Sequence, residues 1–154
     1  MTATANVEQG TINAVVDIAA RPEAVFRALT DPKELEAWWG SEDTYRTSDW
    51  KIDLRVGGQW SAAAKDPSGG TQTVKGEYLA VDPPRLLEYT WLPSWEDFAP
   101  TTVRCELEAT STGTLLTVAH SGFVGRPKSC EEHAGGWTLV LDWLARHAEA
   151  SAAR

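Results

Sequence analysis

One stretch near the C-terminus, residues 135–150, constrains the fold more than any other part of the chain. At about 100° per residue, Trp137, Leu141, Leu144 and Ala148 fall within about 60° of one another and the charged side chains lie opposite, which predicts an amphipathic helix. Most of the sequence before it has the patterns of β-strands. A lone long helix that follows strands must bury its apolar side against a sheet. We therefore expect one core between sheet and helix, with Trp137, Leu141, Leu144 and Ala148 on the buried side.

Length and charge narrow the class of protein. The 154 residues suit a single domain, which we place at residues 11–150, between a disordered lead-in (1–10) and a short tail (151–154). The net charge of −8 argues against nucleic-acid partners, and the apolar runs are too short for membrane insertion. The first residues lack the features of a secretory signal, so we expect a cytoplasmic protein. We also expect a monomer or a homodimer. Cys105 and Cys130 are then expected to be reduced thiols.

Turn residues divide the rest of the chain into short elements. Residues 11–19 alternate apolar with polar or small side chains, which predicts a half-buried strand. Two short helices follow, the first with Pro22 in its opening turn and the second, residues 32–38, capped by Asp31. About six antiparallel strands then form a meander before the last helix, at 45–53, 59–65, 71–81, 85–91, 101–110 and 114–122. This order predicts an α+β fold with a sheet of about seven strands.

Short motifs punctuate this order along most of the chain. They occupy residues 20–26 (ARPEAVF), 30–32 (TDP), 38–40 (WWG), 53–58 (DLRVGG), 83–86 (PPRL), 89–91 (YTW), 113–116 (GTLL), 120–123 (HSGF) and 133–137 (HAGGW). Together they resemble the START-like helix-grip superfamily, also called SRPBCC. Within it, the chain is most similar to the AHSA-type family, which is named for homology to an activator of a heat-shock-protein ATPase. The resemblance covers roughly residues 11–150.

The resemblance implies a curved antiparallel sheet of about seven strands that grips the C-terminal helix, with an elongated cavity between them. Members of the superfamily bind lipids, sterols, polyketides or plant hormones, and some are polyketide cyclases or subunits of ring-hydroxylating oxygenases. The Cys and His ligands of the oxygenase Rieske domain are absent from this sequence, which excludes that branch. The eukaryotic co-chaperones carry an additional N-terminal domain that this short sequence is expected to lack. The resemblance therefore implies co-chaperone activity less directly than ligand binding.

His120 is the titratable residue with the most interesting position. By strand alternation it shares a face with Leu116 and Val118, which we take as the concave, helix-facing side. An imidazole with an ordinary pKa of about 6.5 can hydrogen-bond a ligand or act in acid–base catalysis. The alternative is a core histidine bonded to backbone or to a neighbouring strand. Tyr89 is the second candidate for proton transfer. The sequence contains no nucleophile motif, and we expect neither a metal site nor a cofactor.

Aromatic side chains are the other candidates for a site. The chain has eight tryptophans against three Phe and three Tyr, and large amphipathic rings serve either in a core or in the wall of a cavity. The acidic, aromatic loop at residues 95–98 either covers the mouth of the cavity or is an ordinary surface loop. The expected ligand-binding residues are Trp38, Trp39, Trp60, Tyr89, Trp91, Leu116, Val118, His120, Trp137, Leu141 and Leu144.

Two features of the last helix carry further expectations. Gly135 and Gly136 mark either the start of the helix or a close approach to the sheet, because a glycine inside a helix costs about 1 kcal/mol relative to alanine. Leu139 lies on the polar side of the helix and is expected to be partly exposed.

Three functional hypotheses follow from the residues and the resemblance. The first is a non-catalytic domain that holds a small hydrophobic or aromatic ligand under the last helix. The second is an enzyme of the polyketide cyclase or aromatase type, with His120 as acid or base. The third is a co-chaperone-like module that binds a protein partner.

Overall fold

Eight antiparallel strands form one sheet in the computed structural model, which describes residues 3–153. The strands lie in the order β1-β2-β8-β7-β6-β5-β4-β3, so the meander from β3 to β8 continues onto β2 and β1. They are β1 (Thr4–Asn6), β2 (Thr11–Ile18), β3 (Arg46–Ile52), β4 (Gln59–Lys65), β5 (Thr71–Asp82), β6 (Leu86–Pro93), β7 (Thr101–Ala109) and β8 (Thr114–Ser121). The helices are α1 (Pro22–Thr30), α2 (Pro32–Trp38) and α3 (Pro127–Ala152), with a 3-10 turn at Ser94–Glu96.

The curved sheet, the two short helices after β2 and the long C-terminal helix confirm the predicted α+β helix-grip fold. The local reasons are those that the sequence indicates. Pro22 stands in the first turn of α1, and the Asp31 side chain accepts hydrogen bonds from the backbone N–H groups of Lys33 and Glu34 at the start of α2. In β2, each alternate residue from Ile12 to Ile18 is buried.

The N-terminal segment differs from the expected disordered lead-in. Residues 4–6 form β1, which pairs with β2 so that Thr4 lies opposite Asn13 and Asn6 opposite Thr11. Three residues are too few to show a hydrophobic alternation, and their order comes from backbone hydrogen bonds to the edge of β2. This strand is the eighth of the sheet. Residues 1 and 2, which were included in the lead-in, lie outside the described residues.

Helix α3 is longer at its N-terminal end than the sequence predicts. It begins at Pro127, and Gly135 and Gly136 lie inside it. A Cβ atom at either glycine would meet no other atom within 4 Å, so the expectation that they mark a helix start or a close approach is wrong. The helix also runs two residues into the expected tail, of which residue 154 is not described. Leu139 is 47% exposed, as predicted.

The main core lies between the sheet and the C-terminal half of α3. This helix packs chiefly against β2, and its Leu141, Leu144 and Ala148 side chains are buried. Leu116 and Val118 of β8 are buried in the same core. None of the helices within residues 3–153 is both long and apolar enough to cross a membrane.

Candidate functional site

A cavity of about 430 Å³ lies between the strands β3 to β6 and the N-terminal half of α3, beside the 3-10 turn. Six aromatic side chains line it: Trp39, Tyr45, Trp50, Trp91, Trp95 and Trp137. This volume falls within the range of small-molecule sites, which is about 300–1,000 Å³. A wider groove of about 620 Å³ lies against Lys51, Gln59, Lys75 and Glu77, which are exposed polar side chains. The cavity combines apolar walls with concave shape, and we regard it as the candidate site.

The space in the cavity arises from small residues on both of its sides. Ala62 and Ala64 of β4 line one side, where Ala62 pairs with Val74 and Ala64 with Gln72 of β5. Gly136 lines the opposite side, on α3. Alanine and glycine are too small to fill the space between a sheet and a helix, which leucines would otherwise occupy. The small residues at these positions therefore create the cavity.

The walls form a connected cluster of indole rings. Trp39 is its centre, with ring centroids 5.2 Å from Trp38, 5.6 Å from Trp50, 6.0 Å from Trp91 and 6.3 Å from Trp137. Trp60 joins it through Trp50 and Trp91, at 6.0 and 5.8 Å, and Trp95 through Trp91 at 6.4 Å. Aromatic pairs at these separations contribute about 0.5–1.5 kcal/mol each beyond the area that they bury. These contacts between rings stabilise the walls.

His120 lies at the inner end of the cavity and is 1% exposed. The indole Nε1–H of Trp137 donates to its Nδ1 at 2.9 Å, and its Nε2 lies 2.7 Å from the Thr101 hydroxyl. Because an indole N–H can only donate, Nδ1 is the acceptor and Nε2 carries the proton. The Thr101 hydroxyl in turn donates to the carbonyl oxygen of Trp91 at 3.2 Å. Burial holds the pKa of His120 well below 6.5, and the charge of Arg126, with that of His133 when His133 is protonated, lowers it further.

His133 mirrors this arrangement on α3. Trp91 donates its Nε1–H to the Nε2 atom of His133 at 3.2 Å, and the Nδ1–H group donates to the carbonyl oxygen of Ser129 at 2.9 Å. Burial lowers the pKa of His133 from its usual value of 6.5. Trp95 stacks on the ring at 6.3 Å. Both histidines are thus neutral, with both ring nitrogens bonded to protein atoms.

The loop after β6 closes one side of the cavity. Trp95 and Glu96 of the 3-10 turn line the space, and Glu96 accepts a short hydrogen bond from the Ser129 hydroxyl. Arg126 lies 3.7 Å from the same Glu96 oxygen. These contacts attach the loop to the first turn of α3, and Trp95 remains 47% exposed. Of the two interpretations of this loop, the structure places its first half over the cavity, whereas Asp97 and Phe98 are exposed outside it.

Four of the expected ligand-binding residues line the cavity: Trp39, Trp91, His120 and Trp137. The other seven lie in the core instead, namely Trp38, Trp60, Tyr89, Leu116, Val118, Leu141 and Leu144. For Leu141 and Leu144 the physical reason is position along α3, because the residues of this helix that line the cavity end at Val140.

The catalytic candidate Tyr89 is among these core residues. It lies between Trp60 and Tyr78, at ring distances of 5.5 and 6.3 Å, and burial raises its pKa well above 10. Its hydroxyl is therefore protonated at neutral pH and separated from the cavity.

Sequence reasoning missed the α3 residues that line the cavity before Trp137. Ser129, His133 and Gly136 recur at spacings of four and three residues, and Val140, after Trp137, continues the series, which places them on one face of a helix. Extending the helical periodicity back from residue 135 to Pro127 would have found this signal. No comparable signal marks Tyr45, Thr47 and Trp50, because a bulge between Ser48 and Lys51 interrupts the alternation of β3.

No group of three or more His, Cys, Asp or Glu side chains that could hold a metal ion occurs within the described part of the chain.

Comparisons with known proteins agree with this architecture. A protein from Chromobacterium violaceum is 28% identical, with a TM-score of 0.77, and the alignment covers 91% of this chain and 98% of that one. Proteins from Mesorhizobium loti (27% identity, TM-score 0.72, 89% and 95% covered) and Nitrosomonas europaea (25% identity, TM-score 0.79, 95% and 98% covered) are similar. No curated protein is detectably similar.

The family described as "Activator of Hsp90 ATPase homolog 1-like protein" matches residues 19–149. This match includes every strand from β3 to β8, both short helices and nearly all of α3. It also agrees with the resemblance that the sequence motifs indicate. The chain therefore belongs to the Activator of Hsp90 ATPase homolog 1-like family.

Proposed function

We propose that this protein binds a small hydrophobic or aromatic ligand in the cavity between the sheet and α3, without catalysing a reaction. The observation that carries the proposal is the cavity itself, which is lined by six aromatic rings. Aromatic walls and a volume of about 430 Å³ suit a ligand of one to three fused rings. Apolar surface that enters such a cavity gains about 25 cal/mol for each Å² removed from water.

The hydrogen bonds of His120 support a binding role over the cyclase alternative. A general acid or base must reach the reacting atom with a free ring nitrogen, directly or through one water. Both nitrogens of His120 are engaged, one by Trp137 and the other by Thr101. Its lowered pKa also keeps it neutral near pH 7, so it has no proton to offer from Nδ1. Tyr89, the other candidate, is buried away from the cavity.

The test is a substitution on α3 that fills the cavity with a larger side chain. We expect Gly136→Leu to weaken binding of quinoline, a neutral aromatic probe at about pH 8, by tenfold or more. The new side chain would occupy the space where the ligand would lie, since nothing stands within 4 Å of the position of its Cβ. Binding would be measured by two-dimensional NMR titration, which also verifies that the fold is intact.

Gly135→Leu is the matched control. Gly135 is the neighbouring glycine in the same helix, is equally free of contacts and is exposed rather than lining the cavity. Its substitution should leave the affinity for quinoline unchanged. Equal affinity in the Gly136 variant and the unsubstituted protein would contradict ligand binding in this cavity.

The proposal includes a cytoplasmic location and a monomer or homodimer. Both cysteines are buried free thiols, which suits a reducing compartment. The family description names an activator of an ATPase, so binding of a protein partner is the alternative function. This alternative predicts a different result for the Gly136→Leu variant. Its activity, binding of the partner, would be unchanged, because a partner would bind the protein surface and not the filled cavity.

A further inference from the structure

We propose that the ligand is a positively charged aromatic compound, and that the cavity discriminates against anions. This inference rests on the proposed function and specifies the class of ligand. It is argued from three properties of the lining: its hydrogen-bond donors, its charges and its ring faces.

The N–H donors of four lining indoles are already used within the protein. Trp39 donates to the Tyr45 hydroxyl at 3.1 Å, and Trp50 donates to the Thr47 hydroxyl at 3.0 Å. Trp91 and Trp137 donate to His133 and His120. A carboxylate or phosphate that enters a cavity loses its hydration and needs such donors in return. An anion would therefore be poorly solvated against these walls.

The ionisable side chains that line the cavity are acidic, apart from the two neutral histidines. They are Asp66, Glu96 and Glu132, and no lysine or arginine is among the lining residues. Glu96 is partly neutralised by Arg126 behind it, at 3.7 Å. Hydrogen bonds from Ser68 and Gly70 lower the pKa of Asp66, so this carboxylate is ionised at neutral pH. The mouth of the cavity consequently carries a negative potential.

Ring faces provide the attraction for a cation inside the cavity. An indole face has a negative quadrupole and attracts a cation within about 6 Å of its centroid. Trp95 offers a half-exposed ring at the cavity, and Trp91 packs edge-to-face against it at an interplanar angle of 72°. Both rings line the cavity. A flat cation can lie against them while its charge faces the carboxylates at the mouth.

The experiment compares three bicyclic probes of similar shape by calorimetry and NMR titration: N-methylquinolinium (cation), quinoline (neutral at about pH 8) and 1-naphthoate (anion). We expect the cation to bind about tenfold more tightly than quinoline, which corresponds to a typical desolvated cation–π interaction. The anion should bind more weakly than either. Raising the ionic strength from about 0.05 M to about 0.5 M should weaken cation binding several-fold and leave quinoline unaffected.

A variant separates charge from shape. Glu132→Gln, at a lining carboxylate, should reduce the ratio of cation affinity to quinoline affinity about threefold. Glu131→Gln, at the adjacent exposed carboxylate that does not line the cavity, should leave the ratio unchanged. If quinoline binds as tightly as the cation, the charge inference is overturned while the proposed function stands. If none of the three probes binds, both are overturned.

Discussion

The two buried histidines show how single residues acquire their roles from partners far away in sequence. His120 and His133 carry opposite tautomers because each accepts from a different tryptophan, at Nδ1 in the first case and at Nε2 in the second. The alternation of β8 was enough to place His120 on the face towards the helix. It could not show that Trp137 and Thr101 occupy both of its nitrogens, since these contacts join β8 to α3 and β7.

His120→Ala should lower the free energy of unfolding by about 2–4 kcal/mol, measured by urea denaturation. The substitution leaves the buried Trp137 N–H without an acceptor, removes the Nε2–H donor to the Thr101 hydroxyl and opens space in the core. Trp137→Phe is the milder comparison, because it removes the N–H donor and part of the indole ring but keeps an aromatic side chain, and it should cost about 1–3 kcal/mol. A stability change below about 0.5 kcal/mol for His120→Ala would contradict a structural role for the imidazole.

At the scale of elements, α3 explains why the candidate site was only partly predictable. Its C-terminal half has an unbroken apolar face, and the sequence pattern located that half and its buried leucines correctly. Its N-terminal half contains Gly135 and Gly136, which local propensity places at a helix boundary. The tertiary structure overrides that preference, since Cys130 and Ala134 are buried on the same helix and continue its packed face.

Gly135→Ala and Gly136→Ala should each raise the free energy of unfolding by about 0.5–1 kcal/mol. Alanine lowers the backbone entropy of the unfolded chain, and its methyl group enters open space at both positions. Thermal denaturation of the two single variants would measure the effect. Gly76→Ala is the opposing comparison, because a Cβ there would collide with the carbonyl oxygen of Thr90. A loss of stability in the helix variants would show that these glycines have a structural function that the contacts do not reveal.

At the scale of the whole molecule, stability is coupled to pH through the buried neutral histidines. In the folded state the pKa values of His120 and His133 are lower than 6.5, the usual value for the imidazole. The unfolded chain therefore binds more protons than the folded one when the pH falls below about 6.5. The contribution of the two histidines to the free energy of unfolding is complete above this pH. It decreases progressively as the pH falls from about 6.5 towards the lower pKa values of the folded state.

Urea denaturation at a series of pH values should show this decrease. Each histidine adds a slope of up to about 1.4 kcal/mol per pH unit below about pH 6. His120→Gln keeps an oxygen that can accept from Trp137 but cannot be protonated in this range, so it should flatten the dependence. An unchanged slope in this variant would mean that His120 does not remain neutral in the folded protein.

The sequence by itself determined the order of the elements from β2 to α3, the single sheet and the amphipathic half of α3, because hydrophobic periodicity and turn residues are local signals. The resemblance of its short motifs indicated the family. Only the tertiary structure decided where the cavity lies. That depends on Ala62, Ala64 and Gly136, which come from β4 and α3 and are small on both sides of the same space. Whether a buried aromatic ring also lines the cavity is a property of that shared volume, so Trp39 lines it and Trp38, adjacent in sequence and equally part of the core, does not.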